Sequence, residues 1–298
     1  MSNRDGVRDS ASARSRTWLV TGASQGFGKA LVAEVLSRGE AVVASVRDEN
    51  SVRDLRDRYS AQLTVVTADL RDPEAVEQVA DTAAERFGTP DVLVNSAGRA
   101  IIGAAEEVSL DELREVLELN FMAAAALTRA VLPGMRERGS GTIIQFSSQG
   151  GRLAFPGVGA YSASKFALEG WSEALAAEVA PFGVRVMLVE PSRFRTGFNT
   201  SHSLGMSARL DAYAEVVGPV RDDLAGADGL QEGDPARAAV ILADLVGADQ
   251  VPLRLPLGAE AVRRLTAAYE RGLDGIQEWA HVARSADYPD VVPAVRAV

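Results

Sequence analysis

The sequence predicts a single α/β domain built on a doubly wound parallel sheet of about seven strands. Short apolar segments suited to buried strands alternate along the chain with longer segments of helical periodicity. A glycine-rich turn joins the first predicted strand to the first predicted helix. With 298 residues, 47% of them hydrophobic and 24% charged, the chain can bury one large core. Strands that alternate with helices imply right-handed crossovers and therefore a parallel sheet.

The predicted elements follow each other in a regular order. Strands are predicted for the apolar runs at 17–21, 41–46, 62–67, 91–95, 142–147 and 184–190. Helices are predicted between them at 26–38, 49–60, 73–87, 108–138 and 160–182. The run Leu253–Leu257 predicts a seventh strand near an edge, because Pro256 cannot donate a ladder hydrogen bond. An amphipathic helix is predicted at 258–284.

Three segments depart from this alternation. Residues 1–16 are rich in Ser, Arg and Asp and lack the apolar stretch of a signal peptide, so they predict a disordered tail before a domain at 17–285. Residues 193–232 are rich in Ser, Gly, Ala and Asp, which predicts a substrate lid with little regular structure. Residues 286–298 are interpreted as a C-terminal tail.

Composition argues against several classes of function. The net charge of −10, without a basic stripe, argues against a nucleic-acid partner. The chain has no cysteine, and His202 and His281 lie outside any metal-ligand spacing, so we expect no metal site. No run of 18 apolar residues occurs, so we expect no membrane-spanning helix and a cytoplasmic protein.

The turn after the first strand has the spacing Gly22-x3-Gly26-x-Gly28. A strand, a glycine-rich turn and a helix together place a pyrophosphate at the helix N-terminus. The glycines permit a tight turn and close approach of the backbone to phosphate. Because many strand-to-helix turns need a glycine, the loop alone is a weak signal, and its place in a strand–helix alternation favours dinucleotide binding.

A second motif combines Tyr161, Lys165 and Ser148. Tyr161 and Lys165 are four residues apart in a predicted helix and share one face. A lysine ammonium favours a phenolate and lowers its pKa from about 10. Ser148, at the end of a strand, can hydrogen-bond a substrate oxygen while Tyr161 transfers the proton. Taken alone, the pair also fits an exposed helix face without function.

The carboxyl ends of the predicted strands carry all of these groups. In an open parallel sheet, ligands bind beyond these ends. The groups that follow the six strands in order are Gly22 to Gly28, Arg47, Asp69, Asn95 to Gly98, Ser148, and Pro191 to Thr196. Packing requirements alone do not predict that groups so far apart in sequence lie on one rim.

The sequence resembles the short-chain dehydrogenase/reductase family over roughly residues 15–285. The matching pieces, in the family's order and spacing, are Thr21-Gly22-x3-Gly26-x-Gly28, Asp69-Leu70, Asn95-Ser96-Ala97-Gly98, Asn120, Ser148, Tyr161-x3-Lys165 and Pro191-x4-Thr196. Within the family, Tyr161 through Glu190-Pro191 and the stretch 252–258 resemble the branch of 17β-hydroxysteroid dehydrogenase-like enzymes.

This resemblance implies a Rossmann-type fold, a nicotinamide cofactor and a set of site residues. The catalytic residues that it implies are Asn120, Ser148, Tyr161 and Lys165. The cofactor-binding residues predicted from the loops and from the resemblance are Gly22, Ser24, Gln25, Gly26, Phe27, Gly28, Arg47, Asp69, Leu70, Asn95, Ala97, Gly98, Tyr161, Lys165, Pro191 and Thr196. The family counterpart of Asn120 helps order a water chain, and an asparagine within a helix is itself a poor helix former.

The end of the second strand favours NADP(H) over NAD(H). Enzymes that prefer NAD carry an acidic residue there, whereas this chain has Val46 and then Arg47. A guanidinium suits a 2′-phosphate, although Asp48 could neutralise Arg47 on a solvated loop. By resemblance, Asp69 binds the adenine amino group and Leu70 backs the ring. Asp69 could instead cap the helix that follows at Pro73.

Two positions depart from the family pattern. Ser96 replaces the second asparagine of Asn-Asn-Ala-Gly, and Ser192 replaces the glycine of Pro-Gly. Because serine lacks glycine's conformational freedom, we expect Ser192 to change the backbone geometry near the nicotinamide. Neither position carries the proton-transfer chemistry.

These predictions define an NADP(H)-dependent oxidoreductase that interconverts a ketone and a secondary alcohol. Alternatives are a non-redox lyase or isomerase and an NADP-sensing regulator. A hydrophobic substrate is expected because the lid and neighbouring loops offer an apolar set: Ile101, Ile102, Leu153, Phe155, Val158, Phe194, Phe198 and Leu204. Loop arginines could instead meet an acidic substrate, and these are Arg99, Arg152, Arg193 and Arg195.

A homodimer or homotetramer is also predicted. The helices at 108–138 and 160–182 carry apolar residues on more than one face, including Ala123–Ala126 and Trp171. A two-fold interface supplies a second partner for such helices, and family members pair them in this way. Alternatively, the helix at 258–284 covers the same surface within one chain.

Overall fold

The fold is described from a computed structural model that covers residues 15–289, 291 and 294. Its centre is a seven-stranded sheet in the order β3-β2-β1-β4-β6-β7-β9, and every neighbouring pair is parallel. The strands of this sheet are β1 (Thr17–Val20), β2 (Ala41–Val46), β3 (Leu63–Thr67), β4 (Val92–Asn95), β6 (Gly141–Phe146), β7 (Val184–Pro191) and β9 (Arg254–Leu257). The predicted fold class is therefore confirmed.

Helices cover both faces of the sheet, so the central strands are buried on both sides. The helices are α1 (Gly26–Ser37), α2 (Arg53–Arg58), α3 (Pro73–Phe87), α4 (Leu110–Leu117), α5 (Ala123–Arg138), α6 (Gly159–Val179), α7 (Ala214–Gly226), α8 (Pro235–Gly247) and α9 (Ala259–Arg284). One core joins α1 and α8 to the sheet through residues such as Leu31 and Leu242. The other joins α3, α5 and α6 to the opposite face, with Leu127 and Met135 fully buried.

The chain order reverses between β1 and β4, which lie side by side at the centre of the sheet. From β1 the chain builds outward to β2 and β3, and it then returns to β4 and builds the other half. The loops after β1 and β4 therefore diverge and leave a crevice at the carboxyl ends of the strands. This crevice positions the site described below.

The segment 193–232 is more regular than the sequence indicates. It contains the 13-residue helix α7 and the short strand β8 (Leu204–Met206), which pairs with β5 (Ala100–Ile102) in a small second sheet. A buried ion pair between Arg221 on α7 and Glu107, at 2.8 Å, holds the segment on the domain. The expected lid with little regular structure is thus a packed helical element.

Helix α8 was not predicted from the sequence, although Asp234 caps it and Pro235 opens it. The predicted tail at 1–16 lies outside the described residues except for Ser15 and Arg16, and Arg16 forms an ion pair with Glu40 at 3.2 Å. Much of the predicted tail at 286–298 also lies outside the described residues.

Within the described residues, the helical stretch Leu110–Arg138 is long and apolar enough to cross a membrane by length and composition alone. A core helix passes the same test, and this stretch packs Leu127 and Val131 into the core between α3 and the sheet. Helix α9 packs against β9 and the turn at Gln149–Gly151.

Candidate active site

Two adjoining cavities open at the carboxyl ends of the central strands. The smaller, of about 130 Å³, lies over the loops after β1 to β4 and is called the loop cavity here. The larger, of about 390 Å³, lies over the ends of β6 and β7 beneath the lid and is called the lid cavity. The residues that line both cavities, and so mark their junction, are Phe27, Ser96, Gly98, Thr196 and Phe198.

The glycine loop is shaped by contacts that no side chain permits. Gly22 has φ of +64°, and a Cβ there would lie 2.8 Å from the backbone of Ala97. A Cβ on Gly28 would lie 2.4 Å from the carbonyl oxygen of Gly22. Helix α1 begins at Gly26 without a side-chain cap, so its first N–H groups remain available to an anion. This backbone cradle fits the diphosphate of a dinucleotide.

The neighbouring loop after β4 is attached to the glycine loop by one hydroxyl. Thr21 Oγ1 accepts hydrogen bonds from the backbone N–H groups of Ser96 at 3.0 Å and Ala97 at 3.2 Å. The predicted cofactor-binding residues that line the loop cavity are Gly22, Ser24, Gln25, Gly26, Phe27, Arg47, Asp69, Leu70, Ala97, Gly98 and Thr196. The structure therefore brings most of the predicted set together.

Asn95 and Gly28 do not line either cavity. The amide nitrogen of Asn95 donates to Ala124 O, Thr128 Oγ1 and Gln145 Oε1, at 3.0–3.2 Å. Asn95 therefore joins β4 and β6 to α5 beneath the site. Gly28 acts through its close packing against Gly22.

The outer end of the loop cavity carries two arginines. Arg47 is exposed, and the carboxylate of Asp48 is engaged by the backbone N–H of Asn50 at 3.0 Å. Asp69 accepts hydrogen bonds from the side chain of Arg71, which lowers the pKa of its carboxyl group. The cap of α3 is Asp72 rather than Asp69, so the alternative interpretation of Asp69 as that cap is wrong.

Ser148, Tyr161 and Lys165 meet at the wall of the lid cavity. Ser148 is hydrogen-bonded to the Tyr161 phenol and accepts the backbone N–H of Gly150 at 3.0 Å. Lys165 is buried, and its ammonium donates to Phe146 O at 2.7 Å. The Lys165 nitrogen lies 5.8 Å from the centroid of the Tyr161 ring.

The pKa values of these groups follow from burial. Burial raises the pKa of the Tyr161 phenol to about 12, opposed by the hydrogen bond from Ser148. Burial lowers the pKa of the Lys165 ammonium to about 8, opposed by the charge of Glu169. Desolvation of the phenolate is the largest effect on the Tyr161 pKa in this structure, and the lowering of that pKa by Lys165 stays a prediction. Near neutral pH, Tyr161 holds its proton.

Asn120 occupies a π-helical turn, Glu118–Met122, between α4 and α5. Its Oδ1 accepts the Arg99 N–H at 2.9 Å, and its Nδ2 donates to Arg99 O and Ser164 Oγ, both at 2.9 Å. The amide therefore joins the loop after β4 to the helix of Tyr161. A π-turn inside a helix often marks a functional position, and here it orients Asn120 inward.

The end of β7 forms the floor between the two cavities. Pro191 lines the lid cavity, and Ser192 N donates to Leu257 O at 3.0 Å. Ser192 has no positive φ, because every described residue with positive φ is a glycine. The serine at this position therefore causes no backbone strain. Thr196 contacts Gly26 and lies at the cavity junction.

The lid cavity is largely apolar. Of the residues predicted for it, those that line it are Ile102, Phe155, Val158, Phe194, Phe198, Leu204 and Arg193, while Ile101, Leu153, Arg99, Arg152 and Arg195 do not. The lid cavity is also lined by residues that were not predicted to contact the substrate, including Phe27, Phe146, Val220, Leu224 and Arg264. Val220 and Leu224 lie four residues apart on α7, a spacing that would have signalled the helix.

Comparison with known proteins agrees with this arrangement. The short chain dehydrogenase family matches residues 16–206. The crystal structure of a short-chain dehydrogenase from Streptomyces avermitilis is 43% identical, has a TM-score of 0.87, and aligns over 92% of this chain and 100% of that chain. Oxidoreductase BOA17 of Botryotinia fuckeliana is 34% identical over 256 residues, covering 86% of this chain and 93% of that protein.

A third similar protein is a metagenomic short-chain oxidoreductase solved in complex with NADP. It is 26% identical, with a TM-score of 0.64, over 82% of this chain and 96% of that chain. The glycine cradle, the paired cavities and the Ser148–Tyr161–Lys165 group coincide with a family match over most of the domain. The chain therefore belongs to the short-chain dehydrogenase family.

Proposed function

We propose that the protein is an NADP(H)-dependent oxidoreductase that interconverts a ketone and a secondary alcohol on a hydrophobic small molecule. The observation that carries the proposal is the meeting of Ser148, Tyr161 and Lys165 on the wall of a largely apolar cavity that adjoins the glycine cradle. A bound nicotinamide supplies or accepts the hydride. The chain's own residues bind, orient and manage the proton.

Tyr161 and Ser148 handle the substrate oxygen. A ketone oxygen bound between the two hydroxyl groups accepts a hydrogen bond from each. As the alkoxide forms, Tyr161 donates its proton to that oxygen. The Lys165 ammonium, anchored on Phe146 O, stabilises the resulting phenolate by its charge. In the direction of alcohol oxidation, the same phenolate accepts the proton.

Arg47 supports the choice of NADP(H). The guanidinium is exposed at the end of β2 and lines the outer loop cavity, where a 2′-phosphate would meet it. Asp69, which the family resemblance assigns to the adenine, is paired with Arg71 on the same rim. The metagenomic relative with NADP supports the same cofactor.

The test measures NADPH oxidation by absorbance across a panel of apolar ketones, including steroidal and long-chain ones. The Tyr161→Phe variant is expected to lose about 100-fold or more in kcat, since general acid catalysis contributes about 10²–10⁴. Tyr288→Phe, whose side chain is 82% exposed, serves as the control and should keep the wild-type rate. Equal rates in Tyr161→Phe and wild type would contradict the assignment.

The same panel separates the two alternatives. A lyase or isomerase would convert substrate, as seen by mass spectrometry, without consuming NADPH. An NADP-sensing regulator would bind NADPH and convert nothing. The polar groups required for proton transfer are all present and assembled, which favours the oxidoreductase.

We also propose that the protein forms a homodimer or homotetramer through α4, α5 and α6. Large apolar side chains on these helices and on the turn between α4 and α5 are exposed, including Leu110, Met122 and Phe166. Helix α9 packs against β9 and the turn after Ser148, so that packing gives no support to the alternative that α9 covers α5 and α6. Light scattering should give a mass near 63 kDa, about twice the 31.5 kDa of one chain, or more; a clean monomer would refute the assembly.

A further inference from the structure

Two buried glutamates lie behind the catalytic wall and have no part in the proton transfer described above. Glu169 and Glu190 are 3% and 2% exposed, and they share two arginines, Arg152 and Arg254. Arg254 donates to Glu169 at 3.0 Å, and Arg152 donates to Glu190 at 3.1 Å. The guanidinium of each arginine also lies 3.8 Å from the carboxylate of the other glutamate. These four residues are called the charge cluster.

The charge cluster connects the segments that carry the site. Arg152 follows the Ser148 turn, Glu169 lies on α6 with Lys165, Glu190 precedes Pro191, and Arg254 belongs to β9. The packing there is tight, because a Cβ on Gly151 would lie 3.0 Å from Glu169 Cγ and 3.2 Å from Lys165 O. The turn after Ser148 is therefore packed directly on α6 at Glu169.

Glu169 stands one helical turn after Lys165, on the same face of α6. The buried Lys165 ammonium has one described hydrogen bond, to Phe146 O, which leaves most of its lost hydration uncompensated. Glu169 Oε2 accepts a hydrogen bond from Arg254, whereas Glu169 Oε1 is buried without a hydrogen bond among the described residues. The unpaired oxygen leaves part of the carboxylate charge free to act on its neighbours through space.

We propose that Glu169 is a positioning residue that keeps the buried Lys165 ammonium charged. The functional meaning of this role rests on the proposed function, in which the ammonium stabilises the Tyr161 phenolate. Burial lowers the pKa of Lys165 and the charge of Glu169 raises it, which agrees with this role.

The other charges near Glu169 determine how large the effect can be. Arg152 and Arg254 are cations close to the Glu169 carboxylate, so they offset part of its charge. Burial, together with the charge of Glu169, raises the pKa of Glu190 to about 7. Removing the Glu169 charge lets Glu190 ionise more readily, which offsets part of the loss. We therefore expect a fall of about one unit in the Lys165 pKa rather than the full effect of an isolated pair.

The composition allows a direct measurement, because Lys29 and Lys165 are the two lysines of the chain. Lysine labelled with ¹³C at Cε gives one resonance from each, and Lys29→Arg assigns them. Titration of the full-length protein by NMR then gives the ionisation midpoint of Lys165 without any substrate. Lys29, which is partly exposed and paired with Asp54, serves as an internal reference for folding.

Four variants define the outcome. Glu169→Gln should lower the Lys165 midpoint by about one unit, and Glu169→Asp should restore most of it. The matched control is Glu173→Gln, which removes an exposed carboxylate bound to the same Arg254 on the same helix and should leave the midpoint unchanged. Arg254→Gln removes a cation and should raise the midpoint, which also tests the proposal if Glu169→Gln fails to fold.

An unchanged Lys165 midpoint in folded Glu169→Gln overturns the proposal, as does an equal shift in Glu173→Gln. A lowered midpoint in Arg254→Gln overturns it as well. If ketone reduction is also found, the alkaline limb of its kcat/KM profile should move to lower pH in Glu169→Gln. A failed ketone screen contradicts the proposed function alone, because the NMR midpoints do not depend on turnover.

Discussion

Replacement of Gly28 by alanine tests the backbone cradle at its tightest point. The added methyl group would lie 2.4 Å from the carbonyl oxygen of Gly22 and 2.8 Å from its carbonyl carbon. Both atoms belong to the backbone, so no side-chain rotation relieves the contact. Since ordinary contacts begin at about 3.4 Å, the glycine loop and α1 must separate by about 1 Å.

That displacement has two consequences of different size. Overpacking costs about 1–3 kcal/mol in the free energy of unfolding, which lowers Tm by several degrees. The loop N–H groups also move away from the position in which they meet a diphosphate. Loss of one or two hydrogen bonds to a charged group, each worth about 1.5–3 kcal/mol, weakens cofactor binding by about 10- to 10,000-fold.

The assay is NADPH binding by fluorescence titration, with Tm measured in parallel. Gly170→Ala is the matched control, because Gly170 lies within α6 and a Cβ there meets nothing within 4 Å. That variant should bind NADPH like wild type and gain up to about 1 kcal/mol in stability. A Gly28→Ala variant with wild-type affinity would refute the cradle.

Three further predictions address specificity, acid stability and the π-turn. Arg47→Ala should raise the KM for NADPH by about 10- to 100-fold and leave that for NADH nearly unchanged, since one charged phosphate contact is lost; equal changes would contradict the NADP(H) assignment. Backbone N–H groups of Leu210 and Ala104, with Arg221, lower the pKa of Glu107 from 4.5 to about 2. Its contribution to stability is therefore complete above pH 4.5 and lost as the pH falls towards 2, so Glu107→Gln should flatten that part of the acid-unfolding curve followed by circular dichroism. Asn120→Ala should lower the free energy of unfolding, measured with urea, by about 2–4 kcal/mol, because part-buried backbone groups of Arg99 and the buried Ser164 hydroxyl lose their partner; an unchanged value would contradict the described role.

Local patterns were sufficient to predict the central sheet and its binding edge. The apolar strands and the glycine turn are contiguous in sequence, and the alternation with helices determines which ends of the strands meet. Asn120, a poor helix former within a predicted helix, also indicated a functional position. The structure explains it by a π-turn that points the amide into the site.

Long-range packing explains what the sequence did not predict. The lid helix α7 contains Gly218 and Pro219, which are poor helix formers, and it is held by Arg221 and Glu107, which are far apart in the chain. The raised Tyr161 pKa is likewise a result of burial that no local spacing reveals. Asn95 matched a cofactor motif but forms hydrogen bonds beneath the site, a direction that only the packing of α5 defines.

The most direct test of the central claim is the transfer of deuterium to a ketone from NADPH that carries deuterium at both positions of the reactive carbon. The product alcohol of a ketone reduced by the wild-type protein should gain one mass unit from deuterium at the former carbonyl carbon. The Tyr161→Phe variant, which retains the cavities but not the proton donor, should form the labelled alcohol at least about 100-fold more slowly. Product that carries no deuterium would contradict the account, because the site would then act without hydride transfer.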